Sequence, residues 1–362
     1  MLGRSLYNRL TLRYYSQKTG GANNVKVFDR HVKWLQKERA AHNPNSKFAE
    51  YLRDEINRRT IDRLAFLKTD FTNVLDFGAH AGNFEKLLCD PSRDTQNSQW
   101  KADRELIKSK IGKIVMVESS KSLLYKDLTS AFNNELNIDR IVADEENFDV
   151  PELSEPNQYD LIISNLSMHW INDLPEVYKK LHNCLKPDAC FIGSMFGGDT
   201  LFELRTSLQL AEIERYGGLS PRISPFVESS DVGNLMQKAG FQMLTVDAEE
   251  LIVDYPNVMA LMEDLQLMGE NNSVLMTPPP LTKDLLMAVE PIYREMHGDK
   301  KTGHLPATFR FVYMIGWKQG KYLAKPAQRG SANVSLKDAL DGKTITTTTT
   351  LTEDEEPTTT KK

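Results

Sequence analysis

Cysteine is nearly absent from this chain of 362 residues. Cys89, Cys184 and Cys190 are too few and too irregularly spaced for a disulfide framework or a Cys-x-x-Cys metal knuckle, and they imply a reducing compartment. Long apolar runs are missing as well. No uncharged stretch approaches the roughly 20 residues that a membrane-spanning helix needs, so any membrane association is expected to be peripheral. There is no basic excess either: 45 Lys and Arg against 50 Asp and Glu give a formal net charge of -5, which argues against nucleic acid as a partner. Asp and Glu are absent from residues 1–28, which carry Arg4, Arg9, Arg13 and Lys18 among Leu, Tyr and Ser. Leu2, Leu6, Leu10 and Leu12 can share much of one helical face, and Arg13-Tyr14-Tyr15-Ser16 resembles a matrix-protease cleavage site. Residues 1–22 therefore read as a mitochondrial presequence.

What is present suits a globular α/β protein, since 40% of residues are hydrophobic. Apolar residues at helical spacing predict a helix over 48–68, within an N-terminal helical segment 23–70. Strands are expected at 73–77, 113–118, 138–142, 159–164, 189–196 and 309–317, and helices at 83–89 and 174–185, the second stopped by Lys186-Pro187-Asp188. Residues 90–110 read as a polar insertion. The alternation predicts a mostly parallel seven-stranded sheet covered by helices on both faces, spanning 71–323. From 324 to 362 the chain runs through a threonine tract to Glu353-Asp354-Glu355-Glu356, with almost nothing to bury, and disorder is expected.

Ligands of such sheets bind beyond the carboxyl ends of the strands. There, Asp76, Gly78 and Gly82 form a D-x-G-x-x-x-G turn, with His80 where a dinucleotide-binding turn would carry another glycine. Glu118 closes the second strand, where its two oxygens can accept both hydroxyls of a ribose. Asp144 closes the third, in reach of an adenine amino group. Ser164 and Asn165 close the fourth, followed by His169 and Trp170. A lone acid at such a place caps a helix or solvates a turn as readily as it binds, and the turn itself can be purely structural. Polar groups at four strand ends together favour a ligand site, with Asn165 and His169 the candidate catalytic residues. Asp173 with Pro175 reads as a helix start.

Residues 197–226 insert after the fifth strand as a candidate substrate lid. Glu203, Glu212 and Glu214 are placed to fork onto a guanidinium, and Arg205, Arg215 and Arg222 to balance those acids or anchor a carboxylate. The alternative is an amphipathic helix over 201–213 with Leu201, Leu204, Leu208 and Ala211 in the core and its charges in water. His297, Asp299 and His304 form an H-x-D…H string in a Gly- and Lys-rich loop. They read as a solvated loop, and no metal ligands are assigned.

The strand-ending acids and the helix-Lys-Pro-Asp-strand element resemble the class I S-adenosylmethionine (SAM)-dependent methyltransferase fold. A narrower resemblance rests on Phe28-Asp29-Arg30, Gln36-Lys37-Glu38-Arg39-Ala40, and the blocks 165–175, 197–212, 217–226, 262–270 and 306–308. These are similar to the mitochondrial arginine hydroxylases that serve as complex I assembly factors, over about 28–317. The resemblance implies a matrix protein, peripheral to the inner membrane, that binds SAM and hydroxylates an arginine on a core subunit of NADH:ubiquinone oxidoreductase. The fold alone would imply methyl transfer, and a SAM-binding assembly chaperone is a third possibility. A biotin-pathway acyl methyltransferase shares the fold but has neither the presequence nor the 197–226 block.

Overall fold

The apolar runs become parallel strands because burial on both faces leaves no solvated side to alternate with. The computed structural model describes residues 26–92, 98–276 and 278–322; the expected presequence and tail lie outside them. Strands β1 (Phe71–Phe77), β2 (Ile111–Glu118), β3 (Asn137–Val142), β4 (Tyr159–Asn165), β5 (Leu185–Phe196), β6 (Gln242–Tyr255) and β7 (Leu305–Trp317) form one sheet in the order β3-β2-β1-β4-β5-β7-β6. The first five run parallel, and β7 lies antiparallel between β5 and β6. This is the class I methyltransferase-like sheet.

Helices α1 (Arg30–His42) and α2 (Tyr51–Ala65) precede the sheet. Within it follow α3 (Asn83–Cys89), α4 (Ser98–Lys110), α5 (Leu174–Cys184), α6 (Phe202–Tyr216), α7 (Ser229–Ala239), α8 (Val258–Met268) and α9 (Lys283–His297). Successive strand residues serve opposite faces. Val74 and Ile114 pack with Leu64 of α2, Leu88 of α3 and Ile107 of α4, whereas Leu75 and Val115 pack with Leu181 of α5 and Met236 of α7. A third cluster joins Leu52 and Ile56 of α2 to Leu204 and Leu208 of α6, Leu261 of α8, Tyr293 of α9 and Phe309 of β7. The N-terminal helices thus share the core of the sheet.

Three expectations need correction. Residues 90–110 are not only a polar insertion, because α4 buries Trp100 and Ile107, each such side chain contributing about 2 kcal/mol. Pro187 does not mark a gap between helix and strand. It lies inside β5 where the register on β4 shifts, the kind of irregularity that tolerates proline. Strand β6, for which no span was expected, is an edge strand in which Asp247, Glu249, Glu250 and Asp254 are mixed among its apolar residues. Asp173 does cap α5, accepting from Glu176 N at 3.1 Å.

The turn after β1 needs glycine for two reasons. Gly78 has φ +78, and a Cβ there would sit 2.2 Å from Ser167 Oγ. Gly217, at the end of α6, has φ +66 with nothing within 4 Å. Gly217→Ala is therefore expected to cost only the left-handed strain of about 1 kcal/mol, and Gly78→Ala several-fold more. Equal losses in urea denaturation would contradict the packing described at Ser167.

Candidate functional site

Helix α1 lies across the ends of β2 and β3 with one basic face turned inward. Arg30, Lys33 and Lys37 recur at i, i+3 and i+7, which places them on a single side of the helix. Asp29 caps this helix, accepting from His31 N and Val32 N at 3.0 Å each. The Lys37 ammonium donates to Glu118 Oε1 at 2.7 Å and to Glu145 Oε1 at 3.0 Å. Arg30 donates to Asp144 Oδ1 at 2.7 Å and also to Glu145 Oε2. Glu118 further accepts from Ser119 Oγ at 2.9 Å, Ser120 N at 3.1 Å and His80 N at 3.3 Å.

Glu118, Glu145 and Lys37 are all buried, so their charges need one another. Burial alone would depress the Lys37 ammonium, and the two carboxylates outweigh it and raise its pKa. Burial would likewise raise Glu145, but Lys37 and Arg30 hold it far below the usual carboxylate range.

Beneath this network, the Gly78–Gly82 turn is closed rather than open. His80 has φ +52, and its Nε2 lies 3.2 Å from Asn165 O and 3.1 Å from Leu166 O. Both partners are carbonyls, so Nε2 carries the proton. Burial, then Arg53 and Lys37, keep this imidazole neutral. Asp76 is buried against Glu85, and the two carboxyls meet in a hydrogen bond that needs a shared proton. Burial and then the Glu85 charge push Asp76 well up, and burial lifts Glu85 from 4.5 to about 7.

The other expected site residues divide into two groups. Asn165 Nδ2 donates to Asn57 Oδ1 at 2.7 Å, while its Oδ1 accepts from Ser194 Oγ at 2.8 Å and Thr60 Oγ1 at 3.2 Å. Ser164 Oγ donates to Phe77 O at 2.7 Å and so stitches β4 to β1. Both side chains are spent on holding the strand ends.

His169 faces a different carboxylate, Glu270, just beyond α8. Its Nε2 donates at 3.1 Å and Trp170 Nε1 at 2.7 Å to the same Glu270 oxygen, and His169 Nδ1 is unpartnered. Burial lowers the pKa of His169, against the pull of Glu270. Arg53 completes the cluster, bonding Glu270 Oε1 at 3.0 Å.

In the segment 197–226, Glu203 accepts from Thr308 N and Oγ1, and Arg205 reaches Gly198 O at 3.2 Å and Thr200 O at 3.4 Å. These two brace α6 to β7 and to its own leading loop. Glu212 is taken by Arg222 Nε at 2.7 Å and Ser220 N at 2.8 Å. Arg222, with Trp170 and Glu270, lines a cavity of about 280 Å³. Glu214 and Arg215 are exposed.

Asp299 accepts from Lys301 N and Thr302 Oγ1, and His297 meets Thr206 Oγ1 at 2.9 Å, so these two side chains serve separate local contacts. Among the described residues no group of three or more His, Cys, Asp or Glu is placed to hold a metal ion.

Sequence reasoning missed Arg30, Lys37, Glu145 and Glu270. The i, i+3, i+7 basic stripe of α1 was visible, but such a stripe reads as solvated until an acidic surface faces it. Glu270 stood only at the end of the resemblance block 262–270, with no role attached to it.

The parallel sheet, its glycine turn and a buried acid at the end of β2 are the parts of a SAM-binding methyltransferase-type domain. Residues 48–246 match the family described as a methyltransferase domain, so the chain belongs to that class. Two similar proteins are both named "Arginine-hydroxylase NDUFAF5, mitochondrial". The zebrafish (Danio rerio) protein is 42% identical over 328 residues, covering 91% of this chain and 92% of the relative; the rat (Rattus norvegicus) protein is 41% identical over 314 residues, covering 87% and 84%. The chain is a member of this arginine-hydroxylase family. A malonyl-[acyl-carrier protein] O-methyltransferase of Methylovorus is more distant, 27% identical over 284 residues, covering 77% of this chain and 86% of that protein.

Chemically the donor set fits SAM: a buried carboxylate for two hydroxyls, a second acid for an amino group, and two glycines at positive φ. In the conformation described, Lys37, Arg30 and the Ser167 side chain meet those same groups.

The Asp76–Glu85 pair gives a pH signature. A group whose folded pKa is raised supplies stability that is present below its unfolded value and lost as pH rises through the folded value. For Glu85 that window runs from 4.5 to about 7. Glu85→Gln should therefore gain on the wild type between pH 5 and pH 8 by up to roughly 3 kcal/mol. Thermal melts at both pH values that show a constant difference would contradict a shared proton at this pair.

Proposed function

We propose that the chain is a mitochondrial protein-arginine hydroxylase on a SAM-binding fold, acting on a core subunit of NADH:ubiquinone oxidoreductase during early assembly. The observation that carries this reading is identity of 40–42% with proteins named as arginine hydroxylases, over more than four-fifths of this chain. Its place is the matrix, peripheral to the inner membrane. No helix of the described residues is long and apolar enough to cross a membrane.

When bound, SAM supplies a sulfonium centre carrying an electrophilic methyl group. Glu118 would hold its ribose and Asp144 its adenine, with the Gly78–Gly82 turn beneath. Lys37 has to release Glu118 before that carboxylate can take one hydroxyl on each oxygen, because Lys37, Ser119 and Ser120 already crowd Oε1, whereas Oε2 accepts only from His80 N. His169 lies beside this site, neutral and with Nδ1 free to accept a proton. Its Nε2 proton is fixed by Glu270, which sets the tautomer.

The methyltransferase-domain match makes methyl transfer the second reading. Mass spectrometry of the oxidoreductase subunits from cells lacking this protein separates them. Loss of one added oxygen on an arginine is the expected result. Loss of a methyl group would favour transfer, and failed assembly with no mark lost would contradict catalysis.

A further inference from the structure

The cavity under the lid is not one of the strand-end positions. Leu204, Leu208, Phe226 and Leu265 line it together with Trp170 and Glu270. At about 280 Å³ it falls just below the roughly 300–1,000 Å³ of sites that enclose a free small molecule. One long side chain with part of its backbone suits it better. An apolar lining that includes a charge matches a side chain with a methylene stem and an ionic head.

Glu270 brings one carboxylate to the cavity lining, and it is already paired with Arg53. Glu270 is buried, and His169, Lys33 and Arg53 hold it ionised against the effect of burial. Its oxygens accept three hydrogen bonds, from Arg53, His169 and Trp170, which leaves about one of four acceptor positions. The indole of Trp170 is fixed by its own bond to Glu270, and Lys33 Nζ sits 3.4 Å from the centre of its ring. Burial, with Lys37, Arg53 and Arg30 nearby, pushes the pKa of Lys33 well down. A planar guanidinium can stack on indole and bond a carboxylate edge at once, which an ammonium cannot.

Arg222 and Ser224 also line the cavity. Arg222 Nη2 and Ser224 Oγ are buried without a hydrogen-bond partner, an arrangement that favours a ligand bringing an acceptor oxygen. The Arg222 charge is itself balanced by Glu212 at 2.7 Å. A peptide carbonyl next to the entering side chain is such an acceptor.

We propose that this cavity is the socket for the substrate arginine, with Glu270 and Trp170 determining specificity for its guanidinium and Arg222 and Ser224 taking the adjacent peptide carbonyl. The assignment rests on the arginine-hydroxylase reading, and it replaces Glu203 and Glu212, which are engaged elsewhere, as the acids that meet the substrate.

The test is calorimetric titration of the full chain with an acetylated, amidated pentapeptide bearing a central arginine, and with its citrulline counterpart, which has the same shape without the charge. Loss of a charge-assisted hydrogen bond predicts at least about tenfold weaker binding of the citrulline peptide. Glu270→Gln should abolish that discrimination. Because Glu270 also anchors His169 and Arg53, Met262→Trp provides a second arm: it fills the cavity from a half-buried position and should remove arginine-peptide binding while the melting temperature is retained. Equal binding of the two peptides, no binding of either at millimolar concentration, or unimpaired binding by Met262→Trp would overturn the socket. Failure of the hydroxylase reading is seen separately, as arginine-peptide binding with the expected discrimination but no oxygen added to subunits in cells.

Discussion

Lys37 holds two buried carboxylates apart, and much of the structure depends on that contact. Glu118 ends β2, and Glu145 lies just past the end of β3, so without a cation between them two negative charges would share a dry site. Removing one partner of such a network typically costs about 3–5 kcal/mol, far more than a surface pair contributes. The same helix reaches further. Lys33 donates to Gly269 O at 3.0 Å and Asn271 O at 2.7 Å, and Arg30 approaches Trp170 O at 3.4 Å. One short helix therefore joins the acids that suit the cofactor to the segment that carries Glu270.

Legibility from sequence followed burial. β1, β2 and β4 were readable because strands buried on both faces are runs of Val, Ile and Leu, and Gly78 was readable because the backbone turns through positive φ there. β6 was not, since an edge strand mixes its apolar residues with acids. Among the candidate residues, Glu118 and Asp144 stood out in the sequence because they close strands. Ser164 and Asn165 stood at equally suggestive positions, yet their hydrogen bonds are used within the scaffold. Glu203 and Glu212 show the same limit. Spacing placed them on the lid helix, but only the fold reveals that Thr308 and Arg222 already hold them.

The comparison with methyltransferase-type domains sharpens what is particular to this chain. Its strand-end acids are of the kind that binds SAM, while His80 crosses the turn to β4 and Lys37 closes over Glu118. A fold associated with methyl transfer is combined here with a cavity of about 280 Å³ lined by Trp170 and Glu270.

Because the N-terminal helix and the cofactor are taken to compete for one carboxylate, the most direct measurement is SAM affinity of Lys37→Gln against the wild type by equilibrium titration. The account predicts binding several-fold tighter in the variant, since Glu118 no longer has to exchange a buried cation for hydroxyls. Equal or weaker binding would contradict it and make Lys37 part of the binding site rather than its closure.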